Sequence, residues 1–188
     1  MPLIIDPAAD GPTNMARDQE LLARLGREPV LRIYQWAGDW ASYGYFQTEE
    51  MASAHFANAN LQFVRRPTGG GLVDHRRDLT YTLLLPRSHP LACCSRAESY
   101  REIHHLVQKA LAACGYPSEL LAEEQGDSPA CFVHPVPGDI VDVEGKKLAG
   151  AAQRRTRHGL LHQGSILAPG CTLQALATAF AELLAPGD

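Results

Sequence analysis

The sequence lacks any run of about 20 apolar residues, the length that a membrane-spanning helix requires. Its first residues lack the basic and apolar leader typical of exported proteins, and no repeat or Gly/Ser-rich linker divides the chain. With 17 Lys and Arg against 21 Asp and Glu, the formal charge is −4, which excludes a general attraction for nucleic acid or an anionic membrane. We therefore expect one cytoplasmic domain over residues 1–188, with no nucleic-acid or membrane partner.

Cysteine is also scarce, with five residues and no CxxC spacing. An odd number without paired spacing argues against a disulfide framework and against a Cys-rich zinc site, so we expect free thiols and no metal site. The chain is 45% hydrophobic over 188 residues. A chain of this size buries roughly 70% of its unfolded surface, which is sufficient for a core without such staples.

Hydrophobic periodicity predicts helices and strands in no regular βαβ order, which is typical of an α+β fold. The predicted helices run from Asn14 as N-cap to about Arg27, from Ser95 as N-cap to the stop at Gly115, and over 172–184. The predicted strands cover 30–36, 40–46, 61–66, 78–86, 139–144, 147–155 and 160–167. The last three are expected to form an antiparallel meander.

A glycine loop follows the strand that ends in Arg65 and Arg66. Gly69, Gly70 and Gly71 allow the backbone to approach a ligand closely, and successive N–H groups can hold an anion or a polarised carbonyl. Adjacent residues on a strand point to opposite faces, so at most one of the two arginines lies on the ligand side. A flexible turn flanked by solvated arginines is the alternative.

A second candidate segment begins at Lys147 and continues through Gly150 and Ala151. Its small residues leave room beside a strand for a slender apolar chain, and the lysine ammonium can meet a carbonyl or phosphate at one end. A tightly packed strand with a surface lysine would have the same sequence, and the segment alone does not separate the two.

The two segments read RRPTGGGLVDHRRDLTYTLLLP and then VEGKKLAGAAQRR, followed by LLHQGSIL. In this order and spacing they resemble the lipoate-protein ligase and octanoyltransferase family, relatives of biotin protein ligase. The resemblance includes NMARDQELL and SYGYFQ and covers about residues 13–170. It implies a mixed β-sheet with flanking helices, and attachment of lipoic or octanoic acid to one lysine of a lipoyl domain, in a 2-oxoacid dehydrogenase or the glycine-cleavage carrier protein.

The resemblance also bears on the type of reaction. Ligases of the family use ATP and magnesium to form an acyl-adenylate, and they carry a GRND-like segment where this chain reads SPACFVHPVPGDIVDV. Asp139 is present there, but the Arg–Asn pair is missing. The Cys–Phe pair resembles instead the octanoyltransferases that use a thiol nucleophile. This implies Cys131 as nucleophile, Lys147 as its neighbour, an acyl carrier protein as donor, and no required cofactor.

The chemistry suits these residue types. An ammonium such as Lys147 would favour the thiolate of a nearby cysteine and could stabilise the oxyanion formed on attack. The small residues at 149–152, together with Leu72 and Val73, would line a tunnel for the acyl chain.

Two other functions stay open. An ATP-dependent ligase would hold an acyl-adenylate with Arg65, the glycine loop and Lys147, and Cys131 would be incidental. A truncated acyl-binding module that needs a second chain is also possible, because the sequence continues only about twenty residues past GSIL. Cys171 is the rival nucleophile, since the start of the last helix would lower its pKa.

The histidines have separate expectations. His75 follows the glycine loop and is expected to orient it rather than to relay a proton. Family members commonly show Gln–His before GSIL, whereas His162 precedes Gln163 here, so the two side chains exchange faces of the strand. His104 and His105 are expected to lie in solvent on the polar flank of their helix.

Overall fold

The computed structural model describes residues 1–57, 59–122 and 136–184. The strands in chain order are β1 (Leu3–Ile5), β2 (Val30–Tyr34), β3 (Trp40–Tyr43), β4 (Gln62–Arg65), β5 (Val73–Asp74), β6 (Leu79–Pro86), β7 (Glu119–Leu120), β8 (Ile140–Val141), β9 (Lys147–Arg155) and β10 (Gly159–Ile166). The helices are α1 (Gly11–Ala23), α2 (Glu49–His55), α3 (Pro90–Cys93), α4 (Arg96–Ala113) and α5 (Leu173–Leu184).

The strands form two sheets. The larger has the order β1-β2-β6-β10-β9-β8-β7, and its pairs are antiparallel except for β1 with β2. The smaller has the order β4-β3-β5, with β4 parallel and β5 antiparallel to the central strand. Mixed sheets with helices confirm the predicted α+β fold, and β8, β9 and β10 form the predicted meander.

The main hydrophobic core lies between one face of the large sheet and helices α4 and α5. In β6, alternate residues point to the same face because side chains in a strand have a period of two. Four such side chains enter this core, as predicted: Leu79, Tyr81, Leu83 and Leu85. Helix α4 contributes the stripe predicted from its spacing, including Ile103 and Val107, and Ser95 caps it by accepting a hydrogen bond from the Glu98 N–H.

The opposite face of the large sheet is mostly polar and packs against α1, with a small apolar cluster of Leu22, Leu84 and Leu161 beside the polar groups. Arg32 is 1% exposed, and its guanidinium donates to Asp6 (2.7 Å) and to Asp18 (2.7 Å). Asp18 is fully buried and also accepts hydrogen bonds from the Thr82 hydroxyl and the Gln163 amide. A buried charge requires such partners, so this network fixes α1 against the sheet.

The predicted start of the first helix was wrong. Asp10 is the N-cap and accepts a hydrogen bond from the Thr13 N–H, and the helix ends at Ala23 rather than near Arg27. Asn14 lies inside the helix and is fully buried; its amide donates to Ala9 O, and its Oδ1 accepts from Arg32. Aspartate and asparagine are both good caps. Asp10 takes this role because the Asn14 side chain is already hydrogen bonded to Ala9 and Arg32.

Five short elements were not predicted: β1, α2, β5, α3 and β7. Each has two to seven residues, which is too short for a hydrophobic period to be recognised. Within the described parts of the chain, no helix is long and apolar enough to cross a membrane.

Candidate functional site

A central cavity opens between the polar face of the large sheet and the small sheet with its glycine loop. Its walls come from α1, from five strands and from that loop: Met15, Tyr34, Trp36, Arg66, Gly70, Gly71, Val73, His75, Thr80, Lys147, Gly150, Ala151, Ala152, Gln163, Gly164 and Ser165. We call this space the central cavity. It brings together the glycine-loop segment and the lysine segment, which are some sixty residues apart in the chain.

Arg66 holds the glycine loop in place through hydrogen bonds to its backbone carbonyls. Its guanidinium donates to the carbonyl oxygens of Gly69 (3.0 Å) and Gly71 (2.7 Å), and to both the carbonyl and the hydroxyl of Ser42. The side chain is 7% exposed, whereas Arg65 is exposed to solvent. The two arginines therefore point to opposite faces, as predicted, and the planar five-donor fork of Arg66 suits an anchor with several acceptors.

His75 links the small sheet to the wall of the central cavity. Its Nδ1–H donates to Asp78 Oδ2 (2.7 Å), and its Nε2 then accepts from the Ser42 hydroxyl (2.6 Å). The ring stacks on Trp36 with 3.9 Å between ring centroids. Asp78 also accepts hydrogen bonds from the Ser165 and Thr80 hydroxyls.

The serine, histidine and aspartate have the connectivity of a hydrolytic triad, but Ser42 is not placed to act as a nucleophile. Ser42 is fully buried, and its Oγ accepts a hydrogen bond from Arg66 at 2.7 Å. The chain of bonds from Arg66 through Ser42 and His75 to Asp78 thus joins the glycine loop to the large sheet. This geometry supports an orienting role for His75.

Lys147 begins β9 at the opposite wall. Its ammonium lies 2.7 Å from Asp139 Oδ2, and both side chains are almost completely buried. The lysine side chain lies across Gly150: a Cβ added at that position would be 2.4 Å from Lys147 Cε and 2.5 Å from Nζ. A side chain at this position would therefore displace the end of the lysine side chain, and the glycine also leaves room in the cavity.

Tyr100 on α4 supports this pair from the core side. Its hydroxyl donates to Asp139 Oδ1 (2.6 Å) and accepts from the Ala151 N–H (2.9 Å). Burial, reinforced by the negative charge of Asp139, raises the pKa of Tyr100 well above its ordinary value. The phenol therefore stays protonated and keeps donating to the carboxylate that holds Lys147.

Gln163 and His162 occupy opposite faces of β10, as adjacent residues in a strand do; the exchange of faces relative to the family pattern stays a prediction. Gln163 lines the central cavity, accepting from the Thr68 hydroxyl (2.7 Å) and donating to Asp18 (2.7 Å). His162 lies between the sheet and α4, where Nε2 contacts the Tyr81 hydroxyl and Nδ1 accepts from the Gln153 amide. Burial lowers the pKa of His162 well below its ordinary value, so this ring is neutral and structural.

The predicted site residues are thus divided by the structure. Most line the central cavity: Arg66, Gly70, Gly71, His75, Lys147, Gly150 and Ala151. Arg65 and Gly69 lie outside the lining, Arg65 on the exposed side of β4 and Gly69 on the outer side of the loop. Val73 lines the cavity, and Leu72 is buried elsewhere. Cys131 lies outside the described residues.

Two predictions about other groups were wrong. Cys171 is 8% exposed and packs in the main core beside Cys114, and burial together with that second thiol raises the pKa of Cys171 to about 12. The effect of burial on this pKa is thus larger than the expected lowering by the helix N-terminus, and Cys171 is disfavoured as the nucleophile. His104 is fully buried rather than solvated, with its Nδ1 hydrogen bonded to Gly138 O, whereas His105 is exposed.

Several cavity residues were not predicted from the sequence, among them Met15, Tyr34, Trp36, Thr80 and Ser165. One pattern could have revealed part of the set. In β6 the threonines at 80 and 82 alternate with apolar residues, and in a strand whose eight residues are all buried the polar face must meet other polar groups.

Solved structures show which class of fold this is. A lipoate-protein ligase A bound with ATP superposes with a TM-score of 0.75 at 19% identity, covering 96% of this chain and 82% of the other. A bi-partite lipoate protein ligase from Thermoplasma acidophilum, described with its E2 lipoyl domain, gives 0.65 at 22% identity, covering 89% and 61%. The chain has the catalytic-domain fold of lipoate and biotin protein ligases.

The family model of the lipoyl protein ligase A/B catalytic domain matches residues 10–185, and the chain belongs to this family. It is 38% identical over 167 residues to octanoyltransferase LipM of Kyrpidia tusciae, covering 82% of this chain and 61% of that protein. It is 35% identical over 168 residues to octanoyltransferase LipM of Bacillus subtilis, covering 82% of this chain and 60% of that protein. The chain thus spans about three-fifths of the length of these relatives.

Proposed function

We propose that the protein is an octanoyltransferase of the lipoate pathway. It would move an octanoyl group from acyl carrier protein to a lysine of a lipoyl domain through a thioester on Cys131. The observation that carries the proposal is the buried Lys147 ammonium at the wall of a cavity lined by Gly150, Ala151 and the glycine loop. The names of the relatives at 34–38% identity support transfer.

The proposed reaction has two acyl transfers. The Cys131 thiol gives up its proton and its sulfur attacks the carbonyl carbon of the octanoyl thioester. The carbon–sulfur bond to the carrier breaks, and the leaving carrier sulfur takes up that proton. The neutral amine of the acceptor lysine then attacks the Cys131 thioester, the carbon–sulfur bond breaks, and the amine proton passes to the sulfur. A thioester is already activated, so neither step requires ATP.

Lys147 would stabilise the negative charge that develops on the carbonyl oxygen in both steps. An ammonium has three N–H donors, and Asp139 holds it in a fixed place without a change of conformation during the reaction. Such fixed donors are worth several kcal/mol in a site that excludes water. The glycine-loop amides that Arg66 holds in place are the second candidate group of donors.

The acyl chain would enter the central cavity beside β9. The cavity volume is about 50 Å³, enough for a few water molecules. Met15 on the wall is suited to fitting an acyl chain because its unbranched thioether adapts easily.

The lipoate-pathway acceptors are a lipoyl domain of a 2-oxoacid dehydrogenase or the glycine-cleavage carrier protein, and both remain part of the proposal. The ligase alternative would require ATP and magnesium. It is not favoured, because these solved ligases are at most 22% identical to this chain, and similarity at that level shows only that the fold is shared.

The test is mass spectrometry of the protein after incubation with octanoyl-acyl carrier protein. An octanoyl adduct on Cys131 is expected, and it should be absent in Cys131→Ser and present in Cys93→Ser, which removes an exposed thiol. Transfer to a lipoyl domain should fall to background in Cys131→Ser. Lipoate-dependent release of pyrophosphate with full activity in Cys131→Ala would instead establish the ligase.

A further inference from the structure

A second concave surface, which we call the arginine groove, adjoins the central cavity. It lies on the outer side of the glycine loop and contains Tyr45, Phe46, Gly69, Arg96, Arg154 and Arg155. Gly70 belongs to the walls of both spaces. A molecule bound in the groove would therefore reach the mouth of the cavity directly.

The groove is strongly cationic although the whole chain has a net charge of −4. Its lining includes three arginines and no carboxylate, and Arg65 adds a fourth guanidinium at the rim, over the Tyr45 ring at 5.2 Å. Within residues 1–57, 59–122 and 136–184, none of these four arginines forms an ion pair. Arg154 donates to Pro67 O, and Arg155 donates to the carbonyls of Ala92, Cys94 and Ser95 and to Ser99 Oγ. These acceptors are neutral, so they leave the positive charges uncancelled and able to attract an external anion.

The aromatic side chains complete the surface. Arg65 and Arg154 both place their guanidinium over the Tyr45 ring, at 5.2 Å and 4.8 Å from its centroid, so the ring positions both cations. Phe46 is 89% exposed next to them. An exposed aromatic side chain among arginines is the composition typical of a protein interface centre.

We propose that the arginine groove is the docking surface for the acyl carrier protein, whose thioester arm contains a phosphodiester. This inference rests on the proposed function. Arginines bind phosphate in a bidentate manner, and a cationic groove also attracts the acidic surface of a carrier protein. The acceptor domain presents a lysine ammonium at its tip, which the same arginines would repel, so the donor is the better match.

Arg96 provides a clean variant. It is the first residue of α4 and is exposed; its carbonyl accepts from the Ser99 hydroxyl, but its side chain makes no hydrogen bond or ion pair with the described residues. Acidic residues are favourable in the first turn of a helix, so Arg96→Glu should fold normally. Arg96→Gln removes the charge without reversing it, and Arg27→Glu is the control, since Arg27 is exposed between α1 and β2 and outside the groove.

The experiment compares three donors: octanoyl-acyl carrier protein, octanoyl-phosphopantetheine and octanoyl-pantetheine. For Arg96→Glu we expect the ratio of KM between the carrier protein and octanoyl-pantetheine to rise roughly tenfold, with Arg96→Gln intermediate and Arg27→Glu unchanged. Octanoyl-phosphopantetheine has the phosphate but no protein, so its KM shows whether the groove recognises the phosphate or the surface of the carrier protein. An unchanged ratio in Arg96→Glu would overturn the proposal.

A binding measurement separates this inference from the proposed function. The anisotropy of labelled acyl carrier protein should report a Kd that weakens with salt and in Arg96→Glu, whether or not transfer is observed. Binding of the carrier protein without any octanoyl transfer would refute the proposed function and leave the groove assignment intact. Loss of lipoyl-domain binding in Arg96→Glu, with carrier-protein binding unaffected, would assign the groove to the acceptor instead.

Discussion

Lys147 and Asp139 form an ion pair with 2.7 Å between Nζ and Oδ2, and both side chains are almost completely buried. The Tyr100 hydroxyl donates to the other oxygen of Asp139, and the Val136 N–H donates to the same oxygen as the lysine. The position of the ammonium is therefore determined by a carboxylate that is itself fixed by a helix and by the backbone.

Asp139→Asn should damage both stability and transfer. Breaking a buried ion pair by removing one partner costs about 3–5 kcal/mol, and the ammonium loses the carboxylate that positions it at the cavity wall. Thermal unfolding and kcat/KM for transfer to a lipoyl domain measure the two effects. Glu144→Gln removes an exposed carboxylate in the turn before β9 and should change neither. Wild-type behaviour of Asp139→Asn would show that the pair is dispensable.

Gly150→Ala should separate catalysis from folding. The new methyl group would meet the end of the Lys147 side chain, which is flexible, so the ammonium moves and the fold survives. We expect kcat to fall roughly 100-fold, the loss typical of a missing oxyanion donor, with a small change in melting temperature. Gly26→Ala, where an added Cβ meets nothing within 4 Å, is the matched control. Equal kcat values for the two variants would argue against a role for Lys147 placement.

Arg66→Lys tests how the glycine loop is held. Lysine keeps the charge but cannot bond the carbonyls of Gly69 and Gly71 and both oxygens of Ser42 at once. We expect a loss of about 2 kcal/mol or more in the free energy of unfolding, and slower transfer because the loop amides lose their position. Arg65→Lys, at the exposed neighbouring position, should have a much smaller effect on unfolding. A similar loss in both variants would mean that charge alone matters at this strand end.

The sequence allowed the long, periodic elements to be predicted, because β6, α4 and the meander each carry a clear hydrophobic pattern. It also indicated both walls of the central cavity through the glycine loop and the lysine segment. The pairing of strands could not be read in the same way. The predicted strands at 30–36 and 40–46 are neighbours in the chain, yet β2 lies in the large sheet and β3 in the small one, and local spacing contains no information about this.

Burial of polar side chains was the main source of error. The sequence predicts His104 on the polar flank of α4, and only the packing of Tyr100 and the Gly138 carbonyl against it shows that the position is interior. Asn14 is likewise predicted as a cap because its burial inside α1 cannot be seen in the sequence. Ser42 and Asp78, which connect the glycine loop to the large sheet, lie far apart in sequence, and their contact through His75 follows from the fold alone.

His104 makes stability depend on pH in a defined window. Burial lowers its pKa from 6.5 to about 4, and its Nε2 has no hydrogen-bond partner in the described part of the chain. The unfolded chain therefore takes up a proton below pH 6.5, while the folded protein takes it up only near pH 4. The contribution of the neutral ring is complete above pH 6.5 and decreases as the pH falls towards 4, by about 3 kcal/mol in total.

Chemical denaturation between pH 7 and pH 4 measures this effect. His104→Leu should be less stable than wild type at pH 7 because the bond to Gly138 is lost, but its stability should fall less steeply with decreasing pH. His105→Leu replaces the exposed neighbour and should keep the wild-type slope. The buried His162 titrates in the same direction, so part of the slope remains in His104→Leu. Identical slopes in His104→Leu and wild type would show that His104 is charged or solvated in the folded protein.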